Sequence, residues 1–245
     1  MDITIPEAIL LLGIDDETGR PVVGDSTVGM AFAAGAAAQL VLQGRIRIAG
    51  AGADATEAKP GTFVSADGAV DERLEPLVEH LVGHKPQDAL GRVIGLGGPG
   101  APAGKARARA LEDFAEAGLL ARRDQRFLGI TWSQRWERGE RREVEDALQA
   151  RAREILQGVA AAGDASPALA RRDAVLAAAL AILHTVEALP KVFPDLPAEQ
   201  LAAAGGALAT DDWASESVRD ALQSLEGAMT AILVTTVIMP AATSS

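Results

Sequence analysis

The sequence predicts a mainly α-helical protein: a central helical bundle with one buried apolar helix surrounded by amphipathic helices, plus one or two β-hairpins. Three observations lead there. Hydrophobic residues make up 48% of the 245 residues, yet aromatics are only 3% and tyrosine is absent, so the core must be built from Ala, Leu, Val and Ile. Ala and Leu are strong helix formers. The second observation is Asp173–Leu189, DAVLAAALAILHTVEAL, which is apolar most of the way round at helical spacing. Such a helix has to be enclosed on all sides. Arg171 and Arg172 precede it, Asp173 places a negative charge at its N-terminus, and Pro190 and Pro194 stop it. His184 and Glu187 interrupt it, and it falls short of the ~20 apolar residues of a membrane span. The third is the absence of any internal repeat or long linker, so residues 1–245 read as one domain.

In chain order, Ile3–Gly13 is the first helix, with Thr4 as N-cap, Pro6 in the first turn and Glu7 at capping-box spacing. Asp15–Arg20 is a charged turn, and Pro21, Val22 and Val23 a short extended piece. Ser26–Gln43 is a helix of small residues that allows close approach of neighbours, stopped by Gly44. Arg45–Ile48 alternates polar and apolar and is a strand; Gly61–Ala66 returns beside it as a hairpin across the loop Gly50–Pro60. Val70–Val82 is amphipathic, with Leu74, Leu77, Val78, Leu81 and Val82 facing inward, and Pro86–Ile94 forms another such helix. Gly95–Gly104 is a glycine-rich loop. Its Gly95, Gly97 and Gly98 follow a helix rather than a strand, so the dinucleotide-binding context fails.

Lys105–Leu120 is helical, with Ala110, Leu111, Phe114 and Ala117 spaced for burial. Leu119–Ala121 and Arg126–Ile130 then flank Arg122, Arg123, Asp124 and Gln125 as a hairpin with a basic tip. Thr131–Glu140 carries Trp132 and Trp136. Glu140–Gln157 is a charged helix, Gly163–Pro167 a loop, and the apolar helix follows. A further helix begins within Pro194–Ala203. Ser215–Pro240 closes the chain; the β-branched run in it leaves helix and strand open, and continuity with Val218–Thr230 favours the helix.

A net charge of −11 and a pI near 4.8 argue against a global nucleic-acid binder. The absence of cysteine excludes disulfides, thiolate metal sites and cysteine nucleophiles, and suits a reducing cytoplasm. Asp2 and Glu7 stand where a signal peptide would be basic and apolar. The wealth of Ala, Arg and Gly suggests a GC-rich bacterial coding sequence. His80 and His84 are spaced i,i+4, but no acid follows His80 as a metalloprotease helix requires, and Gly83 signals a helix end. Two surface histidines are the plainer reading. His184 beside Glu187 reads as a buried, carboxylate-bonded histidine. No nucleophile elbow, phosphate-binding P-loop, calcium loop or zinc set is present, which points away from an enzyme and implies no cofactor and no metal.

The cations are uneven. Lys105, Arg107 and Arg109 open a helix after the glycine-rich loop, where helix amides and cations act together on a phosphate. Arg122, Arg123 and Arg126 mark the hairpin; Arg135, Arg138, Arg141 and Arg142 read as a solvated face. Helix then wing suits a winged-helix DNA-binding regulator, which the acidic pI weakens. A basic edge also suits a peripheral membrane module that meets anionic headgroups.

Four blocks carry a family resemblance: TIPEAILLLGIDDETGRP at the start, AAAQLVLQGRIRI at Ala36–Ile48, ALEDFAEAGLLARRDQRFLGITW, and LAAALAILHTVEALPKVF. In this order they resemble the Golgi phosphoprotein 3 family. The resemblance implies a helical bundle with a protruding hairpin, and a non-enzymatic adaptor that binds phosphatidylinositol 4-phosphate at a membrane surface and oligomerises through its hairpin. That hairpin corresponds to Arg122, Arg123, Asp124, Gln125, Arg126 and Phe127. Of the family's headgroup positions, the Trp falls on Gly24, the first Arg on Ala33, and the second basic pair on Gly104 and Arg107, with Lys105 beside them. The resemblance therefore carries over Lys105 and Arg107 as headgroup-binding residues, with Gly24, Ala33 and Gly104 degenerate. It implies a cytoplasmic protein, peripheral on the inner face of a membrane, or a protein-interaction module whose lipid site is degenerate. Self-association through the hairpin and an anionic membrane lipid are the partners expected; nucleic acid is not.

Overall fold

The computed structural model describes residues 3–50, 58–69, 71–95, 101–127, 130–165, 169, 173–211 and 213–237. Within them the chain runs α1 (Ile5–Gly13), α2 (Asp25–Leu42), β1 (Ile46–Ile48), β2 (Phe63–Ser65), α3 (Glu75–Leu81), α4 (Pro86–Ile94) and α5 (Pro102–Glu116). It continues with β3 (Leu120–Phe127), β4 (Ile130–Arg138), α6 (Arg142–Ala162), α7 (Ala174–Thr185), α8 (Leu189–Val192), α9 (Ala198–Thr210) and α10 (Glu216–Val237). The mainly α expectation with one or two hairpins holds, and there are two among the described residues.

The centre is made by α1, α2 and α7, which pack on one another. All of α1 is buried, and the middle of α7, from Leu176 to Leu183, is closed off from solvent. A buried helix start needs partners for its free N–H groups. Thr4 donates its N–H to the Glu7 carboxylate at 2.8 Å, and Ile5 donates to Gln39 Oε1 of α2 at 3.0 Å. Glu7, itself buried, is paired with Arg73. The α1–α2 crossing depends on Gly35: a Cβ there would lie 2.7 Å from Ile9 Cδ1 and 3.2 Å from Pro6 Cα. By length and composition α2 is apolar enough to cross a membrane, but 72% of it is buried inside the fold, as for a core helix.

Around this centre α6 and α9 cover one side, α3, α4 and α5 the other, and α10 runs across α2, α4, α7 and α9. The first hairpin is antiparallel, Ile46 opposite Ser65 and Ile48 opposite Phe63, and its Phe63 exchanges backbone hydrogen bonds with Gly83 and His84 at the end of α3.

The structure moves several boundaries. The helix read as Val70–Val82 starts only at Glu75, after a turn over 72–74; Val70 lies outside the described residues. The apolar helix ends at Thr185 rather than at the prolines. Glu187 takes a left-handed φ of 55°, and Ala188 N–H closes on Leu183 O at 2.9 Å, which ends the helix without glycine. Glu187 is therefore exposed and off the helix, while the His184 ring lies against Gly205 of α9, where a Cβ would be 2.4 Å from it. The expected buried histidine–carboxylate pair on one helix is not what this geometry builds. Parts of the loops 50–60, 95–104 and 163–167, together with Arg171, Arg172 and the glycines at 97 and 98, lie outside the described residues.

Candidate functional site

The cationic helix α5 begins at Pro102, not at Lys105, because proline suits the first helical position. Lys105 is thus in the helix body, and its N–H already donates to Ala101 O at 3.2 Å. Its side chain therefore acts as a cation on a helix wall, not together with free amides. Two residues apart on a helix means nearly opposite faces, so Lys105 and Arg107 do not form one site.

Arg107 faces α2. Its guanidinium donates to both carboxylate oxygens of Asp25 at 3.0 and 3.1 Å and to the Asp25 carbonyl at 3.2 Å, and it covers Gly29. It is occupied as a clasp between α5 and the start of α2. Of the matching degenerate positions, Gly24 adjoins Asp25 and Gly104 lies one turn before Arg107 on α5, so these two stay near the clasp. Ala33 is 1% exposed in the core of α2, so an Arg there would be buried, whereas Gly24 is the exposed N-cap of α2 and Gly104 an exposed residue of the first turn of α5. Gly24 borders a smaller hollow with Val23, Thr27, Glu187 and Lys191.

Lys105 faces the other way, into a groove of about 1350 Å³ between α3, α4, α5 and α10. Arg109, one turn on, lines the same wall, and Arg92 of α4 stands across it. Arg73 closes one end and is held by Asp71 and Glu7. His80 and His84 also line this groove. They do not share a helical face, because α3 stops at Leu81 and Gly83 turns the chain with φ 82°. Sequence reasoning named Lys105 and Arg109 but had no means of adding Arg92, which comes from another helix and shows no motif.

The second hairpin is longer than expected. Arg122, Arg123, Asp124, Gln125, Arg126 and Phe127 are not its tip but the body of β3, paired along β4 from Leu120 opposite Arg138 to Phe127 opposite Ile130, with a bulge at Gln125/Arg126. Residues 128–129, between the two strands, lie outside the described residues, as do the side chains of residues 124–134. Arg123 pairs with Glu137 of the facing strand at 2.9 Å. The ribbon is anchored at its base. Trp136 N–H donates to Gly19 O at 2.9 Å, and the Arg138 guanidinium reaches Asp16 at 3.1 Å, Glu145 at 3.2 Å and Asp146 at 2.7 Å. Burial, and then the neighbouring Asp16 carboxylate, push Glu145 up to about 7.

The fold defines a helical bundle that carries a large groove of mixed charge on one flank and a long two-stranded ribbon. The family model of Golgi phosphoprotein 3 (GPP34) matches residues 5–225, and the chain belongs to that family. No curated protein is similar enough to count as a match.

Proposed function

We propose that this protein is a non-enzymatic adaptor of the Golgi phosphoprotein 3 type, resting on an anionic lipid surface and taking a headgroup phosphate, such as that of phosphatidylinositol 4-phosphate, into the α3–α4–α5–α10 groove. The observation that carries the reading is the exposed Lys105 of α5, with Arg109 beside it and Arg92 across, in a chain of net charge −11. On so acidic a protein, a local basic wall decides which side can face anionic lipid. Family membership supports the adaptor role. Self-association through β3–β4 and a position on the inner membrane face belong to the same reading, because a two-stranded ribbon leaves edges open for pairing.

Liposome co-sedimentation tests it, with neutral vesicles, generally anionic vesicles, and vesicles holding phosphatidylinositol 4-phosphate. Each basic residue near such a surface contributes about 1 kcal/mol, so Lys105→Ala/Arg109→Ala weakens binding on the order of thirtyfold. Arg107→Ala leaves binding within a few-fold, because that side chain is turned to Asp25. Absence of binding to every anionic vesicle at low salt would overturn the lipid reading and turn the search to a protein partner at the ribbon.

A further inference from the structure

The two histidines read from the sequence as surface residues both line the groove proposed to take a phosphate. His80 comes from the last turn of α3 and His84 from just before α4, and both line the same groove as Lys105. The charges around them are nearly balanced. Among the lining cations, Arg73 is held by Asp71 and Glu7, and Arg109 lies 3.6 Å from Asp113. Being 72% exposed, Arg109 is only weakly compensated, so Lys105, Arg92 and Arg109 share the lining with Glu72 and Glu79 from the α3 side and Asp88 from α4. The α10 wall contributes Ile232 and Thr235, which carry no charge, and Lys85 is adjacent to His84 in the chain. Glu79 stands 3.4 Å from His80 Nε2.

With neutral imidazoles, and leaving out the held Arg73, three cations and three carboxylates line the groove. With both imidazoles protonated, five cations do. Imidazole is the side chain that ordinarily changes charge between pH 5 and 8. Protonation of His80 and His84 would therefore add positive charge to an otherwise balanced wall.

We propose that His80 and His84 make this groove a proton-dependent anion site, which holds a phospholipid headgroup more tightly as pH falls from about 7.5 to 5.5. The inference rests on the lipid reading above and deepens it by adding a control of the same site.

The test is co-sedimentation at pH 7.5 and 5.5 with phosphatidylglycerol vesicles, whose phosphodiester keeps its charge across that range, and with phosphatidylcholine vesicles as the blank. Each added cation near an anionic surface strengthens binding about fivefold. Part of the gain at His80 goes to Glu79, so the wild type is expected to bind about tenfold more tightly at pH 5.5. His80→Gln/His84→Gln should bind as the wild type does at pH 7.5 and change less than about twofold on acidification. The backbone contact of His84 with Phe63 does not involve the side chain, and an unchanged thermal midpoint confirms that the variant is folded. A wild type with no pH dependence, or a double variant that keeps it, would overturn the inference while leaving the lipid reading intact, provided Lys105→Ala/Arg109→Ala still loses binding. Wild type that binds no anionic vesicle at either pH would remove both. Release from vesicles by sulfate, but not by chloride at equal ionic strength, would assign the site to a free anion and overturn the lipid form of the inference.

Discussion

Gly35 shows how one residue sets the distance between two helices. Alanine in place of glycine gains about 1 kcal/mol of helix propensity at an ordinary site. Here the new methyl would press on Ile9 Cδ1 and on the Pro6 backbone, and forcing an extra methyl into a packed core costs about 1–3 kcal/mol. Neither Ile9 nor α1 has free space to move into, because both are buried. The steric cost is the larger, so Gly35→Ala is expected to lower the unfolding free energy by about 1 kcal/mol or somewhat more, read from the midpoint of a urea titration. A variant as stable as the wild type would mean that α1 slides easily over α2.

The same scale shows why the sequence could not tell Lys105 from Arg107. Residue type and local spacing were legible, and both side chains are cations on one helix. What each touches was not, because the partner of Arg107 is Asp25, 82 positions earlier. Composition cannot distinguish a cation held in a clasp from one open to solvent.

Among the elements, the clasp between α5 and the start of α2 is bidentate but lies at the surface, with the Asp25 side chain 74% exposed. Exposed ion pairs of this kind contribute about 0.2–1 kcal/mol. A double-mutant cycle with Asp25→Ala and Arg107→Ala is expected to return a coupling energy in that range, shrinking in 1 M salt. Coupling above about 2 kcal/mol would show that the pair is more deeply desolvated than its exposure indicates.

Helix limits were legible where a specific device encodes them. Thr4 with Glu7, Pro86, and Gly44 with its φ of 69° mark ends that the structure reproduces closely. They were illegible where tertiary contacts do the work. The left-handed Glu187 ends α7 without any glycine signal. β3, LARRDQRF, lacks the alternation that marks a half-buried strand, so its body was read as a tip, although β4 does place Ile130, Trp132 and Trp136 at period two.

At the scale of the whole molecule, the cluster at the ribbon base links folding to pH. The Glu145 carboxyl lies higher in the folded protein, at about 7, than its ordinary 4.5. The folded state thus holds this proton more tightly than the unfolded chain does. The stabilisation is fully present below pH 4.5 and is lost as pH rises through 7. Integrated over that window, the effect is on the order of 3 kcal/mol. In the opposite sense, Asp15, Asp71 and Asp195 are held below the ordinary carboxylate range by side-chain hydrogen bonds, to Thr18, Arg73 and Arg153. Their contributions are lost as pH falls through those lowered values. Stability should therefore peak on the acidic side of neutral, and Glu145→Gln should flatten the decline between pH 5 and 8, measured by denaturant unfolding across pH. A decline as steep in Glu145→Gln as in the wild type would assign it to the overall negative charge instead.

By itself the sequence determined the helical class, the enclosed apolar helix, the two hairpins and the order of segments that marks the family, because these follow from composition, periodicity and capping within a few turns of chain. Only the tertiary structure decided which cations are open. Packing turns one face of α5 toward α2, where Asp25 takes Arg107, and the other toward a groove where α4 adds Arg92 and the end of α3 and the turn after it bring two histidines. Those neighbours are far apart along the chain, and it is burial of the helices that brings them together.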